Sequence, residues 1–219
     1  MMVHNSRSYS GARHDLIKYL KSPKKVLDIG CNSGNTGKLI KDTFGQDVVV
    51  HGVDYNDDLR QEVESKIDKF ALINLNELRS IDDFLGEHIY DSIIIGDVLE
   101  HILYPIKVVE KVASHLTSQG NIFISLPNTG YYSSLFNFLR HKWPRNNRGI
   151  YDKTHINIYM KGNLHELCPD NYQLNIIRRK YRCRESKGSK WDVFLHIFDI
   201  IPYFRNFITF QFLIKISKN

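Results

Sequence analysis

The sequence predicts a doubly wound α/β sheet on three observations: short apolar runs of strand length, helically spaced apolar residues between them, and a glycine or acid where the runs end. The first unit is Lys25–Ile29, closed by Gly30, followed by Asn35–Phe44 with Leu39, Ile40 and Phe44 on one side. This predicts strand, glycine turn, helix. Residues 48–53 form a β-branched run that stops at Asp54, with a polar helix-like stretch at 57–67 behind it, and 70–73 make a brief third strand. Residues 91–95 are apolar after their first two positions, which suits a strand covered on both faces. In 105–116, Ile106, Val109, Val112 and Leu116 fall at helical spacing, closed by Gly120, and 121–126 give the fifth strand. Strand and helix alternating in this way imply parallel pairing with right-handed crossovers.

After Pro127 the alternation weakens. A helix is predicted over 131–139, a loop rich in Arg, Asn, Gly and Tyr over 143–154, a further helix over 161–167, and late strands over 173–181 and 207–216. Between those strands Trp191, Phe194, Leu195, Phe198 and Ile201 share one face of a helix ended by Pro202. That stripe reads as core or subunit contact, with a peripheral, in-plane membrane contact as the sharper alternative. It is far shorter than the ~20 apolar residues of a spanning helix, and Asp192, His196 and Asp199 interrupt it.

At 219 residues the chain is expected to be one domain: a helical cap over 1–24, a ligand-binding core over 25–126, an acceptor-binding lid and insertion over 127–206, and a last strand over 207–219. Its 42% apolar and 25% charged residues exclude wholesale disorder. The start lacks the uninterrupted apolar region of a secretory signal, so a cytoplasmic location is expected. Cys31, Cys168 and Cys183 are odd in number and widely spaced, as free thiols would be. The net charge of +6 is uneven: Arg178, Arg179, Lys180, Arg182, Arg184, Lys187 and Lys190 face only Glu185. Such a cluster attracts phosphorylated ligands, nucleic acid or an anionic membrane, or is a solvated loop face.

The turn from Gly30 to Gly37 lets backbone approach a ligand, with Asp28 at the strand end able to pair with a cation. Asp54, ending the second strand, can accept both hydroxyls of a ribose. The spacing Gly30-x-x-x-Gly34-x-x-Gly37 is not the G-x-G-x-x-G of dinucleotide sites, and no G-K-[ST] makes a P-loop. A turn holding an amino acid and a nucleoside fits better than one holding a pyrophosphate.

VLDIGCNSGNTGKLI, VVVHGVDYN and DSIIIGDVLEHILYP resemble the first, second and fourth motifs of class I S-adenosylmethionine-dependent methyltransferases. The resemblance implies a Rossmann-like, mainly parallel seven-stranded sheet with an antiparallel last strand and a lid-like insertion. It implies S-adenosylmethionine as cofactor, with Asp28, Gly30 and Gly34 along its methionine part, Asp54 on its ribose, Asn74 or Leu75 by its adenine, and Asp97 near the sulfonium. Cys31 and Asn32 in the first turn, and Tyr55 beside Asp54, complete the expected cofactor set. Asn32 stands where the family usually has Gly; Asn tolerates left-handed backbone better than most residues. Farther out, YSGARHDLI (9–17), LPN (126–128), GIYDKTHI (149–156) and FITFQFLIKI (207–216) are similar to a bacterial subfamily associated with cell-surface glycan biosynthesis, of O-antigen and capsule type.

Methyl transfer from a sulfonium needs an aligned acceptor and a group to remove its proton. His155 is the first choice of base, because Asp152 lies beside it past the fifth strand. His101 is the second: DVLEH is similar to the E-x-x-E-H stretch of ubiquinone-pathway O-methyltransferases, where such residues are linked with a divalent cation. No metal is expected at Asp97, Glu100 and His101, since such clusters are common without one. Tyr131, Tyr132, Trp143 and Tyr151 either stack on an acceptor or pack the lid. The leading expectation is O-methylation of a sugar, nucleotide sugar or phosphate-linked glycan, an anionic acceptor. The alternatives are a small aromatic or quinone precursor, or a non-catalytic cofactor-binding assembly partner. Nucleic acid is disfavoured because GDVLEH replaces the Asn/Asp-Pro-Pro-Tyr/Phe stretch of amino-methylating enzymes that grip a flipped base. No oligomeric state is assigned.

Overall fold

The computed structural model describes residues 11–180 and 202–219. Its seven-stranded sheet contains β1 (Lys25–Ile29), β2 (Val49–Asp54), β3 (Lys69–Leu72), β4 (Tyr90–Gly96), β5 (Leu116–Pro127), β6 (Tyr172–Lys180) and β7 (Gln211–Lys218), in the order β3-β2-β1-β4-β5-β7-β6. Strands β1 to β5 pair in parallel with their neighbours, and β7 runs antiparallel to both β5 and β6. The chain builds outward from β1 to β3, then returns to lay β4 on the other side of β1. That reversal opens a crevice at the carboxyl ends of β1 and β4, where ligands bind in open α/β sheets.

The described helices are α1 (His14–Ile17), α2 (Asn35–Phe44), α3 (Arg60–Glu64), α4 (Leu78–Leu85), α5 (Pro105–Ser114), α6 (Tyr132–Leu139) and α7 (Pro202–Ile208). Alternate strand residues point to opposite faces, and both faces are buried. Leu27, Ile93, Ile95 and Ile124 pack on one side with α4 and α5, while Val26, Ile94 and Phe123 pack on the other with α1 and α2. This is why the central strands read as unbroken apolar runs.

Departures from the sequence expectation have local causes. The stretch 57–67 is split: a 3-10 turn, Asp57–Leu59, precedes the five-residue α3, with the Asn56 side chain accepting from the Asp58 N–H at 3.0 Å. Leu116 belongs to β5 rather than to the preceding helix, because the Tyr90 N–H takes the His115 carbonyl at 2.8 Å and pairing begins there. Phe207 and Ile208 lie in α7, which Pro202 starts, so the last strand begins at Gln211. Lys161–Leu167 is a 3-10 helix. The apolar stripe 191–201, Cys183 and the basic residues after Lys180 lie outside the described residues. Among those described, no helix is long and apolar enough to cross a membrane.

Candidate active site

A cavity of about 640 Å³ lies at the carboxyl ends of β1, β2 and β4. Its floor is the turn after β1. Gly30 (φ +74°) takes a left-handed conformation, and a Cβ there would sit 2.4 Å from Val98 Cγ2. Only glycine lets β1 leave the sheet so close to β4. Asn32 is also left-handed, at φ +47°, and its Oδ1 accepts from the Ser33 N–H at 2.8 Å. The amide side chain thus supports the conformation where glycine is usual.

Of the ten residues expected to meet the cofactor, Asp28, Gly30, Cys31, Asn32, Asp54, Tyr55, Asn74, Leu75 and Asp97 line this cavity. Gly34 does not. It precedes α2 at φ +72°, and a Cβ there would meet Val63 backbone at 3.3 Å, so its smallness serves packing against α3.

Asp28 is buried, and its Oδ2 has no hydrogen-bond partner among the described residues. Burial pushes this carboxyl up to about 7, with Arg13 opposing and Asp54 adding to the rise. Asp54 is buried too, and burial raises its pKa while backbone N–H groups pull it back. Its Oδ2 accepts from the Asn32 N–H at 2.8 Å and its Oδ1 from the Asn56 N–H at 3.0 Å.

Asp97 follows β4 at φ +56° and is held from several sides. Arg13 Nη1 lies 2.9 Å from its Oδ2, while Ser125 Oγ (2.8 Å) and the Gln211 side chain donate to its Oδ1. Arg13 also donates to Ser125 Oγ at 2.7 Å and pairs with Asp15. Thr36 Oγ1 takes the Arg13 N–H at 3.2 Å, which fixes the segment before α1 over the cavity. Gly96 makes room: a Cβ there would lie 2.8 Å from the guanidinium. Arg13 was not identified as a site residue from sequence, since its partner lies 84 positions away.

His101 and Thr154 line the same cavity, whereas His155 and Asp152 do not. His101 Nδ1 is 3.0 Å from Thr154 Oγ1 and 3.2 Å from the Thr154 carbonyl. Thr154 Oγ1 donates to Asp152 Oδ1 at 2.7 Å. The carboxylate beside His155 in sequence therefore reaches His101 through a hydroxyl. His155 stands edge-on to His101 with ring centres 4.8 Å apart, its Nδ1 3.3 Å from the Ile150 carbonyl and its Nε2 3.8 Å from Glu100 Oε1.

Glu100 is buried, and its Oε2 lacks a partner among the described residues. Burial, then the charge of Asp97, raise its pKa well above the usual carboxylate range. Glu100, His101 and His155 bring one potential metal-ligand atom each within 4.8 Å of one another. Asp97 belongs instead to the Arg13 cluster.

This sheet order, glycine turn and acid-lined crevice define the class I S-adenosylmethionine-dependent methyltransferase fold, and S-adenosylmethionine is the cofactor of that class. The family model described as a methyltransferase domain matches residues 2–178, and the chain belongs to that family. It is similar to a ubiquinone biosynthesis O-methyltransferase of Glaesserella parasuis serovar 5, 30% identical over 111 residues, 48% of this chain and 46% of that protein. The match thus spans about half the length of that relative. Among solved structures it resembles an S-adenosylmethionine-dependent methyltransferase from Archaeoglobus fulgidus (TM-score 0.61, 20% identity, 93% of this chain and 89% of that one). It also resembles the plantazolicin methyltransferase BamL, solved with a triazolic desmethylPZN analogue and S-adenosylhomocysteine (TM-score 0.59, 17% identity, 92% of this chain and 79% of that one).

The cavity fits this cofactor on its own chemistry. Asp28 offers an unpartnered buried oxygen to a cation such as an α-ammonium, and Asp54, anchored by two N–H groups, presents a carboxylate to ribose hydroxyls. A pH dependence follows. The Asp28 pKa is raised on folding, so its contribution to stability is present at low pH and is lost as pH rises through about 7. A bound cation favours the ionised form, so affinity moves the other way. Calorimetry with S-adenosylhomocysteine is expected to show roughly tenfold tighter binding at about pH 8 than at about pH 6, and no such slope in Asp28→Asn. A flat profile in the unaltered protein would remove Asp28 as the cation's partner.

Proposed function

We propose that this chain transfers the methyl group of S-adenosylmethionine to a hydroxyl of a sugar, nucleotide sugar or phosphate-linked glycan intermediate in the cytoplasm, with His101 taking the hydroxyl's proton. The observation that carries this reading is the Asp152–Thr154–His101 relay, which ends on the wall of the cavity that holds Asp28 and Asp54. When bound, S-adenosylmethionine supplies a methyl group on a cationic sulfur, open to in-line displacement.

The relay fixes the His101 tautomer. Nδ1 faces the Thr154 carbonyl, which only accepts, and a hydroxyl whose proton goes to Asp152. Nδ1 therefore carries the proton, and Nε2 keeps the lone pair of a base. Asp152 stabilises the imidazolium that forms, through Thr154. His155 is then a positioning residue, holding the His101 ring by its edge. Arg13 and Asp97 close the cavity floor and set its charge.

Two acceptor classes compete. The segments GIYDKTHI and FITFQFLIKI support a glycan acceptor, being similar to the surface-glycan subfamily. A phenolic or quinone-precursor acceptor is supported by the likeness to a ubiquinone biosynthesis enzyme. Radiolabelled methyl transfer screened across nucleotide sugars and catechols tests the choice: labelling of catechols alone would reject the sugar reading.

The reaction is expected to proceed without a metal. Glu100, buried with its pKa well raised, favours its neutral form, and both histidine Nδ1 atoms already face protein oxygens. Turnover is therefore expected to persist in excess EDTA. Loss of turnover that magnesium restores would make Glu100, His101 and His155 ligands.

A further inference from the structure

The loop that supplies Thr154 to the first cavity also borders a second one, of about 800 Å³, which the proposed chemistry leaves unused. Arg145, Asn146, Asn147 and Arg148 line it together with Ser133 and Tyr151. The loop is a fixed turn. The Asn146 N–H donates to the Tyr151 carbonyl at 2.8 Å, Lys153 N–H to Asn146 at 2.9 Å and Asp152 N–H to Gly149 at 2.9 Å, with Gly149 left-handed at φ +78°. The Tyr151 hydroxyl lies 2.6 Å from Ser133 Oγ, tying the turn to the start of α6.

The charge on this turn is unbalanced. Arg145 donates to the Lys153 carbonyl at 3.3 Å and, like Arg148, has no carboxylate partner among the described residues. The loop's own acid, Asp152, is buried and accepts from Thr154. Both arginines are exposed and line the same cavity, so an anion entering it meets two cationic side chains. Guanidinium forks match phosphate oxygens two at a time, and the amides of Asn146 and Asn147 add donors beside them.

We infer that this second cavity binds the phosphate or diphosphate group of the acceptor. The inference rests on the proposed methyl transfer to a phosphate-linked sugar and assigns the residues that recognise its anionic end. Tyr151 lines the second cavity and Thr154 the first, so one short loop borders both. On this proposal a sugar bearing a phosphate ester presents a hydroxyl to His101 and its phosphate to Arg145 and Arg148. The perpendicular rings of Tyr131 and Phe210, 5.5 Å apart, supply an apolar wall for the group beyond the phosphate.

The test is calorimetric titration of the full chain with inorganic pyrophosphate, repeated on an Arg145→Ala/Arg148→Ala double variant, with S-adenosylhomocysteine binding measured on both. Saturable pyrophosphate binding that weakens at least about tenfold in the double variant, with S-adenosylhomocysteine affinity unchanged, is the expected result. If the double variant does not fold, Arg148→Ala alone carries the comparison, since that exposed side chain makes no hydrogen bond or ion pair among the described residues. Competition by UDP-glucose identifies a nucleotide-linked acceptor; competition by farnesyl diphosphate alone identifies a lipid-linked one. Absence of saturable pyrophosphate binding, or equal binding by the variants, overturns the inference. Pyrophosphate binding without S-adenosylhomocysteine binding would instead sink the methyl-transfer reading and leave the anion site standing.

Discussion

His101→Ala is expected to lower turnover by ~10²–10⁴-fold at saturating acceptor while leaving S-adenosylhomocysteine affinity nearly intact. The size follows from what general-base catalysis contributes, and the selectivity from position. His101 lines the cavity together with Thr154, while Asp28 and Asp54, the acids proposed to hold the cofactor, belong to β1 and β2. Thr154→Ala removes the hydroxyl that joins Asp152 to Nδ1, and it is expected to cost less than His101→Ala because the Thr154 carbonyl still faces Nδ1. Thr154→Ser retains the hydroxyl and is expected to recover most of that loss. His155→Ala separates the two histidines: it loosens the His101 ring but keeps the relay. Near-normal turnover in the His101 variant beside a collapse in the His155 variant would move the base to His155.

What the sequence made legible was the part of the fold whose physics is local. β1 and α2 have the bounds expected of them, because a strand buried on both faces must be an apolar run and a glycine turn must follow it. The late chain was harder. In FRNFITFQF an apolar residue recurs at intervals that fit either helix or strand, and the choice between α7 and β7 is made by Pro202 at one end and pairing with β5 at the other. The amphipathic helix α4 is missing from the sequence expectation although Leu78, Ile81 and Leu85 fall at helical spacing; it is only eight residues long and Glu77 before it makes no side-chain cap.

The site divides in the same way. Asp28 and Asp54 end adjacent parallel strands, so strand position alone brings them to one crevice. The Arg13–Asp97–Gln211 cluster joins three segments distant in sequence, and no local pattern announces it. The pairing of Asp152 with His155 is an expectation from neighbourhood in sequence. The link from Asp152 through the Thr154 hydroxyl to His101 depends on tertiary contacts: residues 156 and 157 are tied through their N–H groups to the Glu100 carbonyl at 2.9 and 3.1 Å, which lays this loop over the turn that carries His101.

Asp54→Ala is expected to weaken S-adenosylhomocysteine binding by on the order of tenfold to a hundredfold, as loss of a charge-assisted hydrogen bond worth ~1.5–3 kcal/mol implies. Two effects act together. The ribose loses its acceptor, and the Asn32 N–H, held at 2.8 Å by Asp54, loses the partner that keeps the left-handed turn in place. Asp54→Asn tells the effects apart. Its amide keeps the shape of the carboxylate but has a single acceptor oxygen, so it can serve the Asn32 or the Asn56 N–H while its NH₂ opposes the other. If the ribose contact dominates, the Asn variant loses most of the affinity with little change in thermal stability, whereas a dominant turn effect lowers both together. Calorimetry and thermal unfolding on the two variants give the answer, and unchanged affinity in both would take Asp54 out of the cofactor site.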